Sequence, residues 1–80
     1  MKKYYRHFSK TLEGAEFYIK KDNSEVLCQR GSVILGKMKR YEGVWRFYPR
    51  CDIFITKAEL FSIWDVLDVM QIRERMGCNK

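Results

Sequence analysis

Catalysis needs reactive side chains within reach of one another, and few candidates in this chain meet that condition. His7 is the only histidine. It sits among tyrosines near the N-terminus, with no second acid, base or nucleophile spaced to work with it. Cys51 lies between Arg50 and Asp52, directly after the only proline, Pro49. Arg50 could lower the thiol pKa, but a nucleophilic cysteine also needs a base, and the local sequence offers none. Asp65 and Asp68 stand three apart and could share a divalent ion on a helix, although exposed helical acids need no such explanation. The stretch GSVILGKMK contains Gly36-Lys37 but lacks the spacing and the following Ser or Thr of a phosphate loop. Cys28, Cys51 and Cys78 are odd in number, widely spaced and without a CxxC pair. Reduced thiols are therefore expected, with no disulfide framework and no zinc site. The expectation is a protein without catalytic residues, metal or cofactor, hence not an enzyme.

The residue types do suit recognition. The stretch KMKRYEGVWRFYPR, residues 37–50, interleaves Lys37, Lys39, Arg40, Arg46 and Arg50 with Tyr41, Trp45, Phe47 and Tyr48. Basic groups beside aromatic rings could neutralise phosphates while the rings stack on bases. They could equally meet an acidic protein surface, with arginine and tyrosine as anchors. A polar sheet face would also carry lysine and arginine simply to stay solvated and to discourage edge pairing. The net charge of +6 and pI near 9.4 bias partners toward anions without choosing among them.

Eighty residues make one domain, 1–80, and a chain this short buries only roughly 60–65% of its accessible surface. With 46% apolar residues, 15% aromatic residues and five glycines, it has enough bulky side chains for a core. No apolar run approaches a membrane span of roughly 18–20 residues. The basic start MKKYYRHFSK has no apolar stretch of the kind a secretory signal needs. The expected location is the cytoplasm, without membrane association.

In ITKAELFSIWDVLDVMQIRERMG, Thr56 stands three residues before Glu59, the spacing of a capping box. A helix is expected from about 57 to 76, with Arg73 and Arg75 at the negative end of its dipole and Gly77 suited to a left-handed cap. Leu60, Ile63, Trp64, Leu67 and Met70 follow helical spacing and are expected to face the core, with Val66 on their flank. Phe61, Val69, Ile72 and Met76 fall toward the other side, interrupted by Asp65 and Asp68. They are either flanking apolar residues or a second interface for a dimer or partner. Upstream, AEFYIKK and VLCQR alternate around the turn-forming DNSE and read as a hairpin over 15–30. GSVILGKMKRY gives a third strand, YEG a turn, and VWRFYP a fourth strand ended by Pro49. Trp45 and Phe47 then point to one face, while Val44, Arg46 and Tyr48 point to the other. IFI is a short strand or an extended lead into the helix, and KYYRHF leans toward a strand. The fold class is α+β: a small antiparallel meander of three to five strands (1–55), one face packed by a long C-terminal helix.

This order also separates charge. The helix carries Lys57, Arg73 and Arg75 against Glu59, Asp65, Asp68 and Glu74, so the positive excess lies on the sheet. The open sheet face and its tips are expected to display Arg30, Lys37, Lys39, Arg40, Arg46 and Arg50. Tyr18, Tyr41 and Tyr48 stand beside them. Trp45 and Phe47 are expected beneath Leu60, Trp64 and Leu67, leaving the partner-binding set as Lys37, Lys39, Arg40, Tyr41, Arg46, Tyr48 and Arg50.

The last third of the chain resembles small phage and prophage accessory proteins that end in a W-x-F-x-P strand and a capped E-L-x-x-I-x-x-x-L-D helix. Here the pattern is met by Trp45, Phe47 and Pro49, then Thr56, Glu59, Leu60, Ile63, Leu67, Asp68 and Met70. Gln71 stands where that pattern usually has Asn. The resemblance implies a protein that binds and inhibits host machinery, including defence and restriction systems, or regulates host transcription. It carries over no functional residue, because the matched positions are cap and core. A three-stranded sheet with a C-terminal helix also looks like the arm-type DNA-binding domains of integrases, which read DNA with the sheet. The leading expectation is a phage-derived protein that occludes an acidic surface of a bacterial host protein. The alternative is a DNA- or RNA-binding domain that uses the same face.

Overall fold

In the computed structural model, which describes residues 5–10 and 15–77, five strands form one antiparallel sheet in sequence order. They are β1 (Tyr5–Lys10), β2 (Ala15–Lys20), β3 (Glu25–Arg30), β4 (Val33–Tyr41) and β5 (Val44–Pro49), followed by α1 (Lys57–Arg75). The α+β meander read from the sequence is the fold. The N-terminal segment is a strand over its described residues, whereas residues 53–55 form no strand and follow a turn and bend into the helix. Cys78 lies outside the described residues.

Each turn follows from its residues. At the β2–β3 turn the Asp22 carboxylate accepts from the Ser24 amide at 3.0 Å, and Asn23 takes a positive φ of 63°. The β4–β5 turn has two residues, Glu42 (φ 53°) and Gly43 (φ 79°). Positive φ at both central positions is the hairpin geometry that matches strand twist, and glycine adopts it without Cβ strain. Gly36 has a different role. A Cβ there would lie 2.5 Å from the Tyr48 carbonyl oxygen and 2.9 Å from the Phe47 ring, so β5 approaches β4 only because that position is bare.

The core lies between the sheet and α1. Phe17 and Ile19 of β2, Val26 and Cys28 of β3, Leu35 and Met38 of β4, and Trp45 of β5 meet Ile63, Val66 and Met70 of the helix. A β-bulge at Cys28/Gln29 inserts Leu35 into this layer. The helix begins as its sequence requires. Glu59 N–H donates to Thr56 Oγ1 at 3.1 Å, and the Glu59 carboxylate accepts from Thr56 N–H at 2.9 Å. Arg75 is its last residue, and the Gly77 amide donates to the Glu74 carbonyl with φ 71°.

The rotation of α1 departs from the expected one. Its buried side is Glu59, Ser62, Ile63, Val66 and Met70. Leu67 is half-buried, but Leu60 (49% exposed) and Trp64 (69% exposed) face outward. Trp45 is buried as expected and Phe47 half-buried, but Leu60 and Trp64 do not join them in the buried core. Two polar clamps set this rotation. At the helix start, Arg30 donates to both carboxylate oxygens of Glu59, at 2.6 and 3.0 Å, and to the Phe54 carbonyl at 2.8 Å. Near its end, Gln71 accepts from the Trp45 amide at 2.9 Å and donates to the Gly43 carbonyl at 2.9 Å. These contacts keep the buried Glu59 carboxylate and the Trp45 amide paired, and each such group left unmet would cost about 1–3 kcal/mol.

Candidate functional site

The sheet face turned away from α1 is built by alternation. Residues paired with core positions face the helix, and their neighbours face out. The register aligns His7, Tyr18, Leu27, Lys37 and Tyr48 in one row across all five strands. The next row contains Tyr5 and Lys20 on β1–β2 and Glu25, Lys39 and Arg46 on β3–β5, and Tyr41 stands beyond it opposite Val44. At a strand spacing of about 4.8 Å, the five-strand row spans roughly 19 Å.

Lys37, Lys39, Tyr41, Arg46 and Tyr48 therefore do converge on one surface. Their charges and rings are interlocked: Lys39 Nζ lies 5.9 Å from the centre of the Tyr48 ring, and the Arg46 guanidinium 6.0 Å from that of Tyr41. These separations are at the outer limit of cation–π attraction, worth about 0.5–1 kcal/mol at an exposed site, and the tyrosines stay exposed.

Arg40, Arg50 and Arg30 do not belong to this surface. Arg40 is opposite Trp45 in register, so it points to the helix side, where it pairs with Glu74 at 3.1 Å. Arg50 follows β5 and grips Asp52 with two hydrogen bonds, of 3.0 and 2.8 Å. This holds the Asp52 carboxyl below its usual range. Arg30 is opposite the buried Ala15 and is committed to Glu59. The sequence could not separate these arginines from the others, because their partners lie 24 to 34 residues away or across a loop.

Sequence reasoning also missed Glu25. It accepts from the Tyr5 hydroxyl at 2.7 Å and pairs with Lys37 at 3.6 Å. Burial would raise its pKa, but the Tyr5 hydrogen bond with Lys37, Lys20 and Lys39 outweighs that and holds it below the ordinary value. Burial, and then the hydrogen bond to Glu25, pushes the Tyr5 hydroxyl up to about 12. The Glu25 carboxylate thus sits among three lysines, and the face is patterned rather than uniformly basic. Leu27, buried between Tyr18 and Lys37 in register, supplies its apolar centre. His7 stands edge-on to Tyr18 with ring centres 5.4 Å apart. The signal for these partners was the strand register, which fixes who stands opposite whom.

The residues of the expected second interface stay together on the outside of α1. Phe61, Val69, Ile72 and Met76 are all exposed, but they share the outer surface of α1 with Leu60 and Trp64. Phe54 beside the helix start is 93% exposed. Among the described residues, no group of three or more His, Cys, Asp or Glu side chains could hold a metal ion, and no helix is long and apolar enough to cross a membrane. Cys28 is buried, its thiol pushed up to about 12 by desolvation, and Cys51 is exposed.

The chain matches no protein-family model, no curated protein and no solved structure at a significant level.

Proposed function

We propose that this protein is a non-catalytic binding module that recognises an acidic surface of another protein through its open sheet face. The observation that carries this reading is the interlocked set Lys39–Tyr48 and Arg46–Tyr41 on adjacent strands, beside Lys37. Tyrosine and arginine are the side chains that most often dominate binding energy. Here the sheet fixes the backbone that carries them, which reduces the entropy lost on binding. The cationic groups would steer encounter with a complementary acidic patch. In the setting that the phage-protein resemblance suggests, the consequence is inhibition: a bacterial host protein, such as a defence component, is occluded by a flat surface. The location this implies is the host cytoplasm.

The second reading is nucleic acid, favoured by the exposed tyrosines near the basic groups. Glu25 interrupts the lysines for a regularly charged phosphate chain, whereas a protein surface can set a donor or cation opposite it.

One experiment separates the two. The immobilised protein and its Lys39→Glu/Arg46→Glu variant are exposed to bacterial extract with and without nuclease. A protein captured by the parent, indifferent to nuclease and lost with the variant, is the expected outcome. Equal retention by both overturns the role of the face. Direct binding to a labelled single strand, with a log–log salt slope near −2 for about three neutralised phosphates, would establish the nucleic-acid reading instead.

A further inference from the structure

Diametrically opposite its buried side, α1 presents a stripe that the described residues leave uncovered: Lys57, Phe61, Trp64 and Asp68. The spacing i, i+4, i+7, i+11 is the rhythm of a coiled-coil seam, and at 100° per residue all four lie within about 40° of one line. Read along the helix, the stripe is basic, aromatic, aromatic, acidic. Read backwards it is acidic, aromatic, aromatic, basic. A two-fold axis crossing α1 between residues 62 and 63 therefore sets Lys57 against Asp68 of the partner subunit. The same axis sets Phe61 against the partner's Trp64, and repeats both pairs by symmetry.

We propose that the protein forms a homodimer by antiparallel pairing of α1 along this seam. Charge complementarity selects a second copy as the occupant, because a foreign helix would not require the pattern to be its own reverse complement. Trp64 is 69% and Phe61 55% exposed, and Lys57 Nζ lies 5.8 Å from the centre of the Phe61 ring, placing the cation on the seam beside the apolar pair. Asp68 has no ion-pair partner among the described residues. The same register carries the partner's Ile72 past Lys57 to the level of residue 53, beside Phe54. With Leu60 flanking, the seam buries roughly 800 Å² over both copies, below the roughly 1,200 Å² of a standard interface. The dimer is accordingly a weak one, expected to dissociate in the micromolar range. It leaves both open sheet faces pointing outward, so two copies would engage a repeated partner together. This inference stands independently of what the sheet face binds.

Sedimentation equilibrium from about 5 to 500 µM tests it, a range that brackets such a constant. The average mass should rise from 9.7 kDa toward twice that value, and Trp64→Ala should remain monomeric. Lys57→Asp alone and Asp68→Lys alone should each weaken association about tenfold, by placing like charges together. Combining the two changes should restore it to within about threefold of the parent. A monomer at every concentration, a dimer indifferent to Trp64→Ala, or a charge swap that fails to restore association overturns the proposal.

Discussion

Replacing Glu59 with glutamine should cost stability in a way that depends on pH. Glu59 is 4% exposed, and its carboxylate accepts two bonds from Arg30 and one from the Thr56 amide. The Arg30 hydrogen bond leads in holding its pKa down to about 2, with burial opposing and Thr56 assisting. At 1.36 kcal/mol per pH unit, the interval from 4.5 to about 2 amounts to roughly 3.4 kcal/mol. Arg30 is 41% exposed on its side chain, and water screens the pair, so about 1–2 kcal/mol is retained. Because the folded pKa lies below the unfolded one, this stabilisation is fully present above about pH 4.5 and is lost as pH falls toward 2. Glu59→Gln keeps an oxygen for Thr56 but removes the charge. Its melting temperature at pH 7 should fall by roughly 5–15 °C for a domain of this size. Urea titrations of parent and variant from pH 7 to pH 2.5 isolate the effect, since every other carboxylate is common to both. The stability difference should shrink steadily below pH 4.5. A difference that is independent of pH, or below about 0.3 kcal/mol at pH 7, would refute the assignment of the clamp as an ionic one.

Gln71→Ala should destabilise by about 1–2 kcal/mol in urea, because it removes two hydrogen bonds that tie α1 to the β4–β5 turn. Gln71→Asn, one methylene shorter, should recover less than half of that loss. Gly36→Ala should cost roughly 2–3 kcal/mol or prevent folding, since the obstructing atom is the Tyr48 carbonyl oxygen and backbone cannot swing aside. In a native alkylation experiment read by mass spectrometry, Cys51 should label readily. Cys28 should label only on the timescale of unfolding, being buried with its thiol pushed up to about 12.

The local sequence determined every element whose ends are punctuated by specific chemistry. Thr56 and Glu59 start the helix, Gly77 ends it, and Asp22-Asn23-Ser24 and Glu42-Gly43 turn the hairpins. Period-two alternation then assigned Trp45 to the core and Arg46 to the open face before any pairing was known. The rotation of α1 was not legible in this way. The helix carries apolar side chains nearly all round, so periodicity alone supports more than one buried side. What chose among them was Arg30 reaching Glu59 across 29 residues and Gln71 reaching Gly43 and Trp45, contacts that exist only once β3, β5 and α1 are assembled. The same assembly withdrew Arg30, Arg40 and Arg50 from the candidate face and left Leu60 and Trp64 on the surface. Local patterns fix backbone conformation because they act within a turn or a pleat. Which basic groups remain available and which apolar ones stay uncovered is decided by long-range pairing, and only tertiary structure supplies it.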